Sequence, residues 1–124
     1  MRFHAHNFER GGGGSELEAA LAGIKRVDVL KIDCEGCEYG ALLPFLGRLC
    51  VPQLLVEVHG CLTHSAETNG KLLRALATGS AARGRGAYGA FHSEPNLEHS
   101  DGSCIEFGLL RREACNWAGA AQWS

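Results

Sequence analysis

The sequence has no apolar run that approaches the ~20 residues a membrane-spanning helix needs. It also lacks charge of one dominant sign. Twelve Lys and Arg face fourteen Asp and Glu, a formal net charge of −2. A protein that grips nucleic acid through its phosphates needs a basic footprint, and none appears here. Arg83 and Arg85 are a short basic cluster among glycines and read as a solvated loop. The first ten residues, "MRFHAHNFER", have no apolar segment of the kind a secretory signal carries. The length of 124 residues suits one small domain with a single core.

Six cysteines stand at positions 34, 37, 50, 61, 104 and 115. An even number suggests disulfides, but the chain is longer than a disulfide-dense scaffold and has real apolar periodicity. Cys50 and Cys104 lie in or beside apolar runs and read as small buried hydrophobes.

The tract "GGGGS" at 11 to 15 is flexible in composition, so residues 1 to 14 read as a flexible N-terminal segment. Ser15 and Glu18 form a capping box, and Leu17, Ala20, Leu21 and Ile24 share one helical face. A short helix is expected from Glu16 to Gly23. "VDVLKI", 27 to 32, is a strand that ends at Asp33. Tyr39, Leu42, Leu43, Leu46 and Cys50 follow helical spacing, with Pro44 placed to kink or divide the helix. "QLLVEV", 53 to 58, is apolar enough for a strand covered on both faces. Leu72, Leu73 and Leu76 mark another helix, and "AYGAFH" and "SCIEFGLL" two late strands. Residues 113 to 124 form a tail without periodicity that carries Trp117 and Trp123.

Alternating helices and strands imply an α/β fold with right-handed crossovers and a mainly parallel sheet. Three parallel strands and one antiparallel strand are expected, the last two strands forming an antiparallel pair at one edge. Ligands bind beyond the carboxyl ends of the strands in such sheets. Asp33 and Glu35 follow the first strand, Glu57 and His59 close the second, and His92 and Glu94 follow the third. A carboxylate or imidazole there can accept a proton. Each also has a structural reading: Asp33, Glu35 and Glu38 as acids that complement a helix start, His59 as a hydrogen-bonded structural residue, and Pro95 and Asn96 as turn residues.

Cys34 and Cys37 stand three apart before a helix, a place that lowers thiol pKa. Structural thiols are the first reading. A zinc site of Cys34, Cys37, His59 and Cys61 is the second, with a spacing that matches no standard motif. A redox pair is the third.

"DVLKIDCEGCEYGAL", "QLLVEVHG", "FHSEPN" and "CIEFGLL", in this order, resemble the C-terminal half of the FkbM-like methyltransferases. The resemblance spans residues 15 to 112. It implies a class I enzyme that uses S-adenosylmethionine on a Rossmann-like sheet with helices on both faces and a reversed last strand. In that family the first strand and a glycine-rich turn hold the methionine part of the cofactor. Only fourteen residues precede Ser15, and "GGGG" follows no strand, so the domain is expected to be partial and not to bind the cofactor alone. The resemblance implies O-methyl transfer to a small-molecule or glycan hydroxyl. Asp33 and His59 are then the catalytic candidates, with Glu35, Glu57, His92 and Glu94 at the rim. The alternative is a non-catalytic remnant or interaction domain. Loss of the first half would also leave the strand at 27 to 32 with a bare edge, open to self-association.

Overall fold

The computed structural model describes residues 22–24, 26–60, 65–79, 87–98 and 101–115. The expected helix at Glu16 to Gly23 lies outside them for nearly all its length. So do the "GGGGS" tract, Arg83 and Arg85, Cys61, Trp117 and Trp123. No described helix is long and apolar enough to cross a membrane.

The elements run β1 (Val29–Ile32), α1 (Glu38–Leu46), β2 (Gln53–His59), α2 (Ala66–Thr78), β3 (Tyr88–Pro95) and β4 (Cys104–Arg111). The four strands form one sheet in the order β1-β2-β4-β3. β1 and β2 are parallel neighbours, with Val29 opposite Gln53 and Ile32 opposite Val56. β4 is antiparallel to both β2 and β3. Three strands therefore point one way, and the last strand is reversed and inserted between the second and third. This is the expected α/β architecture: the C-terminal half of a Rossmann-like methyltransferase sheet.

Local sequence explains most boundaries. Gly36, at φ 113, follows Glu35 at φ 51, and this left-handed pair turns the chain from β1 into α1. α1 passes through Pro44 undivided, in contrast to the expected break, and ends at Leu46 rather than continuing to Cys50. Pro44 cannot bond the carbonyl four residues back. That carbonyl belongs to Gly40, on the exposed side of the helix, where water can satisfy it. Ser65 caps α2 by accepting from the Thr68 N–H at 3.2 Å, and Gly79 closes it at φ 73.

Both helices cover the same face of the sheet. Leu42, Phe45 and Leu46 of α1 and Leu72 and Leu76 of α2 join Ile32, Leu54, Val56, Val58 and Leu109 in one core. Leu42 and Leu54 are wholly buried, and burying each such side chain contributes roughly 1.5–3 kcal/mol. The opposite face carries no helix among the described residues. Val29, Phe91 and Leu110 are about half exposed there, at 51%, 54% and 47%. Among the described residues, helices cover β2 on one face only, and on the other face Glu57 and His59 are nevertheless buried.

The cysteines differ most from expectation. Cys34 is bonded to Cys37, and Cys50 to Cys115. Cys104 is disulfide-bonded as well. The reading of Cys50 and Cys104 as isolated buried hydrophobes is thus corrected: they are buried, but as halves of cross-links. The Cys50–Cys115 bridge also pins the start of the segment read as a tail to the end of the turn after α1. Arg111 donates to the Ala114 carbonyl at 3.2 Å beside it.

Candidate active site

Because β1, β2 and β3 point the same way, their carboxyl ends share one edge of the sheet. β1 delivers Asp33, β2 delivers Glu57 and His59, and β3 delivers Asn96. His59 is 6% exposed and stands among three carboxylates. Its Nδ1 lies 2.8 Å from Glu38 Oε1, its Nε2 3.4 Å from Asp33 Oδ1 and 4.0 Å from Glu57 Oε2.

Glu38 is the first residue of α1 and is 0% exposed. Its carboxylate accepts the backbone N–H of Gly36 at 2.9 Å and that of His59 at 2.9 Å, besides the imidazole. The carboxylate accepts from Nδ1–H of the ring. Nε2, on the other side of the ring, faces Asp33, which is 44% exposed at its side chain and opens to solvent. The line Glu38–His59–Asp33 runs from the protein interior to the surface.

Asp33 and Glu57 line a shallow groove on the uncovered face with Lys31, Phe91, His92 and Glu106. Gly108 forms part of its floor. The far end of the Phe91 ring packs against that glycine, so close that a Cβ there would sit 2.6 Å from its Cζ. Asn96 donates to Glu57 Oε1 at 3.0 Å and holds that carboxylate in place.

Four of the six candidates from the sequence thus meet here. Asp33, Glu57 and His92 line the groove, and His59 lies behind Asp33. Glu35 sits in the β1–α1 turn and Glu94 projects from β3; neither lines the groove. The expectation that His92 and Glu94 follow the third strand is corrected. β3 continues to Pro95, and both residues lie within it, exposed and 3.4 Å apart as a pair. Pairing with β4 extends this far because Ser93, Glu94 and Pro95 find partners in Phe107, Glu106 and Ile105. Proline is tolerated because β3 is the outermost strand.

Two residues do more than their local pattern shows. Glu38 opens α1 as a helix-start acid and also anchors His59. Asn96 follows β3 and also positions Glu57. Neither has a local signature, since each contact joins residues more than twenty positions apart; the helical spacing after Glu38 only showed that it opens a helix.

Metal binding by Cys34 and Cys37 needs thiolates, and in this structure their sulfurs are bonded to each other. Cys61, the fourth residue of that set, lies outside the described residues. Glu57, His59 and Cys104 bring potential ligand atoms within 4.8 Å of one another, but the Cys104 sulfur is likewise in a disulfide.

A family model described as a methyltransferase domain matches residues 14–111. No curated protein and no solved structure matches the chain. With its reversed strand between two parallel ones and its acid and imidazole side chains at the carboxyl edge, the chain belongs to this methyltransferase domain family.

Proposed function

We propose that the chain supplies the acceptor side of an S-adenosylmethionine-dependent O-methyltransferase. Asp33 takes the proton of the acceptor hydroxyl, and His59, held by Glu38, orients Asp33 and shares the proton. The observation that carries this reading is the Glu38–His59–Asp33 line, buried at one end and open at the other. Methyl transfer to oxygen needs an aligned acceptor and a base for its proton. Glu57 and His92 flank the groove as acceptor-binding groups, with Glu35 and Glu94 farther out on the same rim. Carboxylates beside the exposed Phe91 ring suit a hydroxyl-rich acceptor, a small molecule or a glycan.

S-adenosylmethionine carries a sulfonium and an α-ammonium group, and the acids of the rim suit cations. Its carboxylate needs a cradle of donors, and the described residues present no glycine-rich turn after a strand to make one. The fit is therefore incomplete, and we assign the cofactor-binding half of the reaction to structure outside these residues. On this proposal the domain is inactive alone. A second reading, a non-catalytic interaction domain, is favoured by the sheet face that carries no helix among the described residues. Under both readings that face and the edge of β1, which has no second strand neighbour among the described residues, promote self-association.

The test is transfer of label from radiolabelled S-adenosylmethionine to a mixture of sugar and small-molecule hydroxyl acceptors. It is run on the chain alone and on the chain joined to whatever sequence is encoded immediately upstream. Transfer is expected only from the longer protein, and Asp33→Asn should reduce it about a hundredfold or more. Transfer that Asp33→Asn leaves intact would remove the base from this proposal. No transfer from the longer protein would favour the interaction domain.

A further inference from the structure

The Cys34–Cys37 bridge is unlike the other cross-links. Its cysteines are three positions apart and both remain partly accessible. Cys50, Cys104 and Cys115 are 1%, 2% and 8% exposed. A thiol reagent can reach the first bridge in the folded protein, whereas the buried sulfurs need an opening of the structure. Loop length points the same way. Cys50–Cys115 closes a separation of 65 residues, so it constrains the unfolded chain far more than the short bridge does, and its loss costs the fold more stability.

The surroundings also fit the reduced pair. Cys34 Sγ lies 3.5 Å from Glu38 Oε2. A disulfide sulfur has no proton to donate, but a Cys34 thiol in that place donates to a wholly buried carboxylate. Cys37 is the N-cap of α1 and makes no side-chain capping bond. A Cys37 thiolate would lie at the positive end of the α1 dipole, which stabilises negative sulfur. Glu35, inside the ring that the bridge closes, stands at φ 51, a left-handed conformation a non-glycine residue rarely adopts.

We propose that Cys34–Cys37 is an exchange-active disulfide that an external dithiol reduces while the buried bridges stay closed. A thiolate of the reductant attacks Cys34 Sγ, forming a mixed disulfide, and Cys37 leaves as a thiolate at the start of α1. The second thiol of the reductant then attacks its own bonded sulfur and releases Cys34. The reductant ends as its disulfide. Two electrons and two protons pass to the cysteines, and the Cys34 S–H donates to Glu38. This exchange stands whether or not the chain takes part in methyl transfer. It adds a donor to the carboxylate that holds His59, so it links the redox state of the turn to the candidate site.

The test is a redox titration of the full chain in mixtures of reduced and oxidised dithiothreitol. Samples are quenched with acid, alkylated and read by peptide mass spectrometry, with far-ultraviolet circular dichroism recorded in parallel. Cys34–Cys37 should be half reduced at a dithiol-to-disulfide ratio at least tenfold lower than Cys50–Cys115, with the dichroism unchanged. Reduction of both bridges together, or only with loss of secondary structure, would overturn the proposal. Glu38→Gln should move the Cys34–Cys37 midpoint several-fold toward the disulfide, because an amide is the weaker acceptor. An unmoved midpoint in a folded variant would exclude Glu38 from the exchange. If that variant does not fold, the titration of the unsubstituted chain decides alone.

Discussion

At the residue scale the site turns on Glu38. A buried carboxylate is costly unless it is well supplied with donors, and here two backbone N–H groups and an imidazole supply three. Removing it strands three donors at once. Glu38→Ala should therefore destabilise the fold by roughly 3–5 kcal/mol in urea denaturation, far more than an ordinary helix-start acid. A change below about 1 kcal/mol would mean the carboxylate does not anchor His59. Asp33 and His59 were legible because each ends an apolar strand in an alternating chain. Glu38 was not, because a helix-start acid already has a local explanation. Tyr88 offers a second check. Its hydroxyl donates to the Val51 carbonyl at 2.7 Å, and burial raises its pKa to about 12, partly opposed by the positive charge of Arg111. The unfolded phenol ionises near 10. The folded state holds its proton longer, so the contribution of Tyr88 is full below pH ~10 and is lost as pH rises toward about 12. Unfolding free energy followed by fluorescence between pH 9 and 12 should fall across that window, and less steeply in Tyr88→Phe.

At the element scale, the strands and helices follow from periodicity and caps, and their ends from pairing. β2 ends at His59, and the next residue, Gly60, passes against Ser103, just before β4, and Asn69 of α2. A Cβ on Gly60 would lie 2.5 Å from the Ser103 carbonyl oxygen and 2.9 Å from Asn69 Nδ2. Gly60→Ala should cost about 1–3 kcal/mol of stability, since the closest atom is backbone and must shift. It should also displace His59. Calorimetric melting would show the loss, and an unchanged midpoint would mean the approach is looser than the structure has it. The glycine after "VEVH" could be read as a turn signal from sequence, but the close contact with residue 103 depends on tertiary placement. The same holds for β3, whose last three residues are strand only because β4 pairs with them. The disulfides show the limit most plainly: spacing alone did not reveal that Cys50 meets Cys115.

At the scale of the whole molecule, the four strands and two helices of the described residues make a sheet that helices cover on one face. β1 has one strand neighbour among the described residues, and Val29 on it is 51% exposed. An uncovered strand edge beside apolar surface favours pairing with another chain. Sedimentation velocity should show concentration-dependent dimers, and Val29→Lys should shift them toward monomer. A monodisperse monomer with a cooperative transition well above room temperature would mark a self-sufficient domain. The most direct test of the central claim, that this chain holds the acceptor side and not the cofactor cradle, is calorimetric titration of the isolated chain with S-adenosylmethionine. The account predicts no measurable binding at micromolar to high-micromolar cofactor. Saturable binding with micromolar affinity would contradict it.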